Sequence, residues 1–282
     1  MGAWYELIYF AFRNVKLRIG LTILLFFVLA AIFAPLFARY DPNAYVGPAA
    51  HPPSPEHWFG TTTFGQDVYS QFAHGLRLTL IVGLLGGSIG TLIGILIGLI
   101  SGYRGGLLDE ILNMITNIVL ILPTLAILII IAAYLTVRGF LVQSVFIGLT
   151  AWPWAARAIR AQTLSLRARE FVDLARMSGR SSMKIVLTEI APSMMSYLFM
   201  VFILQFGGAI LNAATLDFIG LGPTQAFSLG LMMNNAVLWA ALELGMWWWL
   251  IPPGAAITAI VGALYVMNVG LDEVFNPKLR EL

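Results

Sequence analysis

The sequence contains no cysteine among its 282 residues, which excludes disulfides and thiolate metal sites. Charge is scarce: Asp, Glu, Lys and Arg make up 11% of the chain, against about 25% in an average soluble domain. Histidine occurs only as His51, His57 and His74, and no His pair at helical spacing beside a Glu marks a zinc site. His51 and His57 are close enough in sequence to share a metal, although solvated loop histidines are far more common. The only lysines are Lys16, Lys184 and Lys278, and none follows a Gly-rich turn, so a phosphate-cradling P-loop is absent. There is no nucleophile elbow. A net charge of +2 carries no general attraction to nucleic acid.

What the chain has in abundance is apolar surface. Hydrophobic residues make up 59% of it and the mean hydropathy is +0.86, which points to a bilayer as solvent. Crossing the hydrocarbon core takes about 20 apolar residues. Six runs approach that length: 19–37, 80–100, 111–135, 139–156, 192–211 and 247–271. The first follows Arg13, Lys16 and Arg18 and also resembles a signal-peptide core, but five further runs succeed it. No ionisable residue lies well inside any run, whereas ion-coupled carriers usually keep one there. Carbonyls of a broken helix would be the remaining route to ion coupling.

The basic residues set an expected orientation. With the N-terminus inside, thirteen of the sixteen Lys and Arg fall on the cytoplasmic side, and only Arg39, Arg77 and Arg138 fall outside. The positive-inside bias therefore predicts an all-α membrane protein of six spans with both termini cytoplasmic. The expected divisions are a cytoplasmic segment 1–18, a first span 19–37, an outer loop 38–79 and a core 80–271. A cytoplasmic loop 157–191 falls within that core, and a cytoplasmic tail 272–282 follows it.

Two local patterns stand out. Gly86, Gly90, Gly94, Gly98 and Gly102 recur every four residues and form one stripe on the second span. Helices in lipid attract by close backbone approach, so the stripe predicts tight packing on another helix, within the chain or across a subunit or pore boundary. Pro123, Pro153 and Pro192 are expected to kink or end their helices. The second pattern is "REFVDLARMSGR" at 169–180, the densest cluster of charge. Read as a helix, it puts Phe171, Leu174, Ala175 and Ser178 on one face and Glu170, Asp173 and Arg176 on the other. Glu170 suits the first turn, and Gly179 permits a reversal. Docking on a partner, lying on anionic lipid and simple solvation all fit that amphipathic pattern.

"EFVDLARMSG" followed by Ile190-Ala191-Pro192 resembles the EAA loop of ABC-importer permeases. "RNVKLRIGLTILL", "FGTTTFGQDVYSQFAHGLRLTL", "LDFIGLGP", "WWWLIPPGAAI" and "GLDEVFNPKLR" are similar to segments of the dipeptide/oligopeptide/nickel branch, of the "C" subunit type. The likeness runs nearly end to end. Departures exist: Asp173-Leu174-Ala175 replaces Glu-Ala-Ala, Ala191 replaces Leu, Gln66 replaces Arg, and Asn268 and Asn276 stand where Asp is frequent. The resemblance implies a type I ABC-importer permease fold and a non-catalytic subunit of the cell membrane. Glu170, Phe171, Asp173, Leu174, Ala175, Arg176 and Gly179 would then couple to a separate ATPase. It implies a paralogous permease subunit, two ATPase subunits that bind ATP and Mg, and an extracytoplasmic solute-binding protein, with no cofactor in this chain and no nucleic acid. Similar permeases carry peptides, oligosaccharides or nickel chelates. Trp152, Trp154, Trp239 and residues 247–249 suit an interfacial belt or stacking on a sugar. The rival classes are an ion-coupled carrier and an intramembrane enzyme.

Overall fold

The computed structural model describes residues 13–135, 138–224 and 226–275. Residues 1–12 and the tail from Asn276, with Lys278 and Arg280, lie outside the described residues. Among the described residues the chain is helical, with two isolated bridges, Tyr45–Gln66 and Thr61–Asp67.

Helix α1 (Val15–Phe37) starts at Asn14, whose side chain accepts from the Leu17 amide at 2.8 Å. Helix α2 (Val68–Arg104) starts at Asp67, which accepts from the Ser70 amide at 2.7 Å. Both caps satisfy amides that a helix start leaves without a partner. At 1.5 Å per residue, the 37 residues of α2 span about 55 Å, against a hydrocarbon core of about 30 Å. Its two ends therefore stand at opposite faces of the bundle. Helices α3 (Gly106–Ile121) and α4 (Thr124–Tyr134) follow, then α5 (Phe140–Arg167) and α6 (Glu170–Met177). Next come α7 (Ser182–Ile185), a π-helical turn (Val186–Ile190) and α8 (Ala191–Ser193). Helices α9 (Met195–Phe218), α10 (Leu229–Leu238) and α11 (Trp247–Phe275) complete the described chain.

Length and apolarity mark α1, α2, α9 and α11 as membrane spans; the α3–α4 pair makes a fifth if it is taken as one span bent by 78°. Residues 111–135 therefore do not form one straight helix. Leu122 and Pro123 are extended at the break, because proline ends the preceding turn. The run 139–156 opens α5, whose later turns carry Arg157, Arg160 and Arg167. Pro153 is accommodated within α5. Pro192 lies in α8, and Met194 (φ −114°, ψ 16°) separates it from α9, so the fifth run starts at Met195 and extends to Phe218.

The core forms where α2 packs along α5 and α9, and where α1 packs along α11. Leu76, Ile203, Ile210, Met232, Trp249 and Ile260 are fully or almost fully buried in its largest cluster. Gly20 lets α1 approach the α11 backbone: a Cβ there would lie 2.6 Å from the Ala263 carbonyl oxygen. An ion pair between Lys16 and Glu273 joins the same two helices.

Candidate functional site

The charged segment folds as α6. Arg169 is extended ahead of it, Glu170 and Asp173 occupy the first turn, and Arg176 the last. These charges complement the helix dipole. The helix ends in paired reversal bonds, Arg180 N–H to the Ala175 carbonyl at 3.3 Å and Gly179 N–H to the Arg176 carbonyl at 3.0 Å. That pattern requires a left-handed residue, and Gly179 supplies it at φ 72°.

Helix α6 has two faces. Val172 and Ala175 are buried in one cluster with Leu99 and Tyr103 of α2, Ala155 and Ile159 of α5, and Ile185 and Ile190 beyond. Leu174 is 64% exposed and Met177 85%, with Phe171 beside them. The expected grouping of Ala175 with Phe171 and Leu174 is therefore corrected. Ala175 points inward because Val172, three residues earlier, anchors the helix; Phe171, Leu174 and Met177 form the outward apolar surface. Arg176 bonds Asp173 at 2.9 Å and lies over the Tyr103 ring at 5.5 Å. The adjacent Tyr103 side chain and the Asp173 charge hold the Arg176 pKa above its ordinary value.

Behind α6, polar contacts tie the helix ends together. Arg160 of α5 makes a two-pronged bond to Asp109 of α3, both distances 2.7 Å, and Ser101 of α2 bonds the same carboxylate. Arg157 bonds Asn117, and Arg180 pairs with Glu189 of the π-helical turn. The Asp109–Arg160 clasp was not singled out in the sequence. Its only trace there is one acid near a helix start and one Arg in a basic loop.

The glycine stripe of α2 faces α5. A Cβ at Gly86 would meet Ile147, one at Gly94 would lie 2.5 Å from Ala155 Cβ, and one at Gly98 would lie 2.8 Å from the Ala156 carbonyl oxygen. At Gly90 the nearest atom is Gln205 Nε2 of α9, at 3.0 Å.

At the opposite face, residues 40–67 fold onto the start of α11. The Trp248 indole N–H donates to the Thr61 carbonyl at 3.2 Å. His57 is buried and its Nδ1 lies 2.8 Å from Asp67 Oδ1, while His51 Nδ1 lies by the Pro52 carbonyl. Among the described residues, no three His, Asp or Glu side chains cluster as a metal site would need. Asp217, near the end of α9, is buried and accepts from Gln143 at 2.6 Å and from Ser228, closing the loop between α9 and α10. It escaped notice in the sequence because the apolar run 192–211 stops short of it. Trp248 and Trp249 are buried, and Trp239 packs edge-on against Phe64.

Comparison with known proteins places these features in a family. Residues 94–281 match the family described as binding-protein-dependent transport system inner membrane component. Residues 11–53 match the N-terminal transmembrane domain of oligopeptide transport permease C. A Brucella abortus (biovar 1, strain 9-941) protein named among peptide transport system permeases is 34% identical over 272 residues, 95% of this chain and 90% of its own. The oligopeptide transport system permease protein OppC of Bacillus subtilis (strain 168) is 33% identical over 273 residues, covering 96% and 88%. The chain thus belongs to the binding-protein-dependent inner membrane components, as an ABC-importer permease of the oligopeptide permease C type and a multi-pass protein of the cell membrane.

Proposed function

We propose that this chain is the non-catalytic transmembrane subunit through which an ATP-driven importer moves di- or oligopeptides inward. It crosses the membrane six times with both termini in the cytoplasm, and lines the path together with a paralogous permease subunit. An extracytoplasmic solute-binding protein delivers the cargo, and two separate ATPase subunits bind ATP and Mg. The observation that carries the reading is the two-faced α6, which lies within the family-matched region: Val172 and Ala175 fasten it to the span ends, while Phe171, Leu174 and Met177 are left outward. A small apolar knob flanked by Glu170, Asp173 and Arg176 suits insertion into a groove of an ATPase. Its buried residues share a cluster with side chains of α2, α5 and α9, which gives motion of the knob a rigid route into the spans. Peptide cargo follows the names of the relatives. Oligosaccharide stacking loses support where Trp248 and Trp249 are buried.

The test is uptake of a labelled oligopeptide into proteoliposomes holding this chain, its paralogous permease and both ATPases, with binding protein outside and ATP inside. ATP-dependent accumulation that disappears without the ATPases is expected. Accumulation driven by an ion gradient without them would replace this reading with a secondary carrier. Orientation is read in proteoliposomes that omit the ATPases, with single cysteines, for which the cysteine-free chain is already suited. A membrane-impermeant maleimide should reach position 56 from outside and position 174 only from inside.

A further inference from the structure

A cavity of about 160 Å³ lies where α2 ends, lined by Ile100, Tyr103, Arg104, Ser182, Met183 and Val186. We infer that it holds the phosphate-bearing headgroup of an anionic phospholipid, whose acyl chain lies along α2. The lining supplies both halves of such a ligand. Along α2, Leu92 is 60% exposed, Leu96 62% and Ile100 38%. The four-residue spacing puts them in one row, and Arg104 continues that row. From Leu92 to Arg104 the row runs about 18 Å, close to the roughly 15 Å of one leaflet's hydrocarbon. The apolar side therefore ends, at headgroup depth, against a guanidinium and the Ser182 hydroxyl.

The charges nearby favour an anion. Arg176 is committed to Asp173 and Tyr103, and Arg180 to Glu189. Arg104 has no ion pair among the described residues, and neither does Lys184, the neighbour of Met183. An arginine at a span end keeps its stem in hydrocarbon and its head at the interface, where an anionic surface attracts it. Tyr103 lines the cavity and also lies under Arg176 of α6, so a lipid here would brace the end of α2 that carries Tyr103. The inference goes beyond the proposed transport role and depends on the proposed orientation only to name the leaflet as cytoplasmic.

The test is native mass spectrometry of the full-length chain, equilibrated in micelles with equal amounts of phosphatidylglycerol and phosphatidylcholine. Phosphatidylglycerol should be retained roughly fivefold over phosphatidylcholine, the effect of about one basic group near an anionic surface. Arg104→Gln should bring the ratio to about one, and Arg104→Lys should keep most of the preference. Met183→Trp, which fills the cavity and leaves the charge, should also abolish it. Millimolar glycerol phosphate should leave the ratio unchanged. No preference in the unaltered chain, or an undiminished one in Arg104→Gln, overturns the inference. Displacement by glycerol phosphate overturns it as well, by showing a site for free phosphate. The readout requires no ATPase, so lipid retention and coupled transport fail separately.

Discussion

The guanidinium carbon of Arg176 lies 5.5 Å from the centroid of the Tyr103 ring, which joins the short helix α6 to the end of the longest helix, α2. Beside this contact, Val172 and Ala175 are buried in the cluster that contains Leu99 and Tyr103. The apolar side chains that hold α6 and the apolar ones it presents outward are therefore different residues, so those two roles separate by mutation.

Arg176→Gln removes the cation–π contact. At an exposed site such a contact contributes about 0.5–1 kcal/mol, too little to unfold the chain. Thermal melting in detergent should barely move, while ATP-driven uptake falls. Leu174→Asp, at a side chain 64% exposed, should leave melting unchanged and remove uptake almost entirely.

Gly179 stands at φ 72° with no atom within 4 Å of an added Cβ, so a side chain there meets strain and no clash. A bulky residue in this conformation costs about 1–2 kcal/mol. Asparagine tolerates it better. Gly179→Val and the charge reversal Asp173→Lys should insert normally and lose uptake, and Gly179→Asn should keep a large share of it. Equal uptake by the valine and asparagine variants would show that the reversal after α6 is not required.

Gly94 and Gly208 offer a paired test of packing. A Cβ at Gly94 would lie 2.5 Å from Ala155 Cβ, whereas one at Gly208 meets nothing within 4 Å. Gly94→Ala should lower stability by about 1–3 kcal/mol, as overpacking does. Gly208→Ala should leave it unchanged or raise it by up to about 1 kcal/mol through helix propensity. Melting temperatures in one detergent decide between them.

Asp67 caps α2 through the Ser70 amide and also pairs with buried His57. Asp67→Ala forfeits about 1 kcal/mol of capping and leaves His57 buried without its partner, a further cost of about 1–3 kcal/mol. Limited proteolysis should then cut within residues 40–66, which should resist cleavage in the unaltered chain. Asp67→Asn keeps the cap and should fall between the two.

Much of this was legible in the sequence because the signals were local. The apolar runs gave the helices, Gly179 the turn after α6, and Pro123 the break between α3 and α4. The glycine spacing announced a packed face but could not name α5 as its neighbour. Which side of α6 is buried was not legible either. Val172 and Leu174 are both apolar, and only the placement of the cluster that holds Leu99 and Tyr103 decides that Val172 turns inward. The Asp109–Arg160 clasp and the Asp217–Gln143–Ser228 network join residues far apart in the chain, and a charge in a loop carries no mark of its partner.

The central claim is that the outward face of α6 seats in an ATPase, and a cross-link reads it directly. The chain has no cysteine of its own, so Leu174→Cys in the assembled importer should form one adduct with a cysteine in the ATPase groove, and the yield should change when ATP is bound. If position 174 in that active assembly forms no adduct and is reached only by lipid-soluble reagents, α6 lies on the membrane and the account is contradicted.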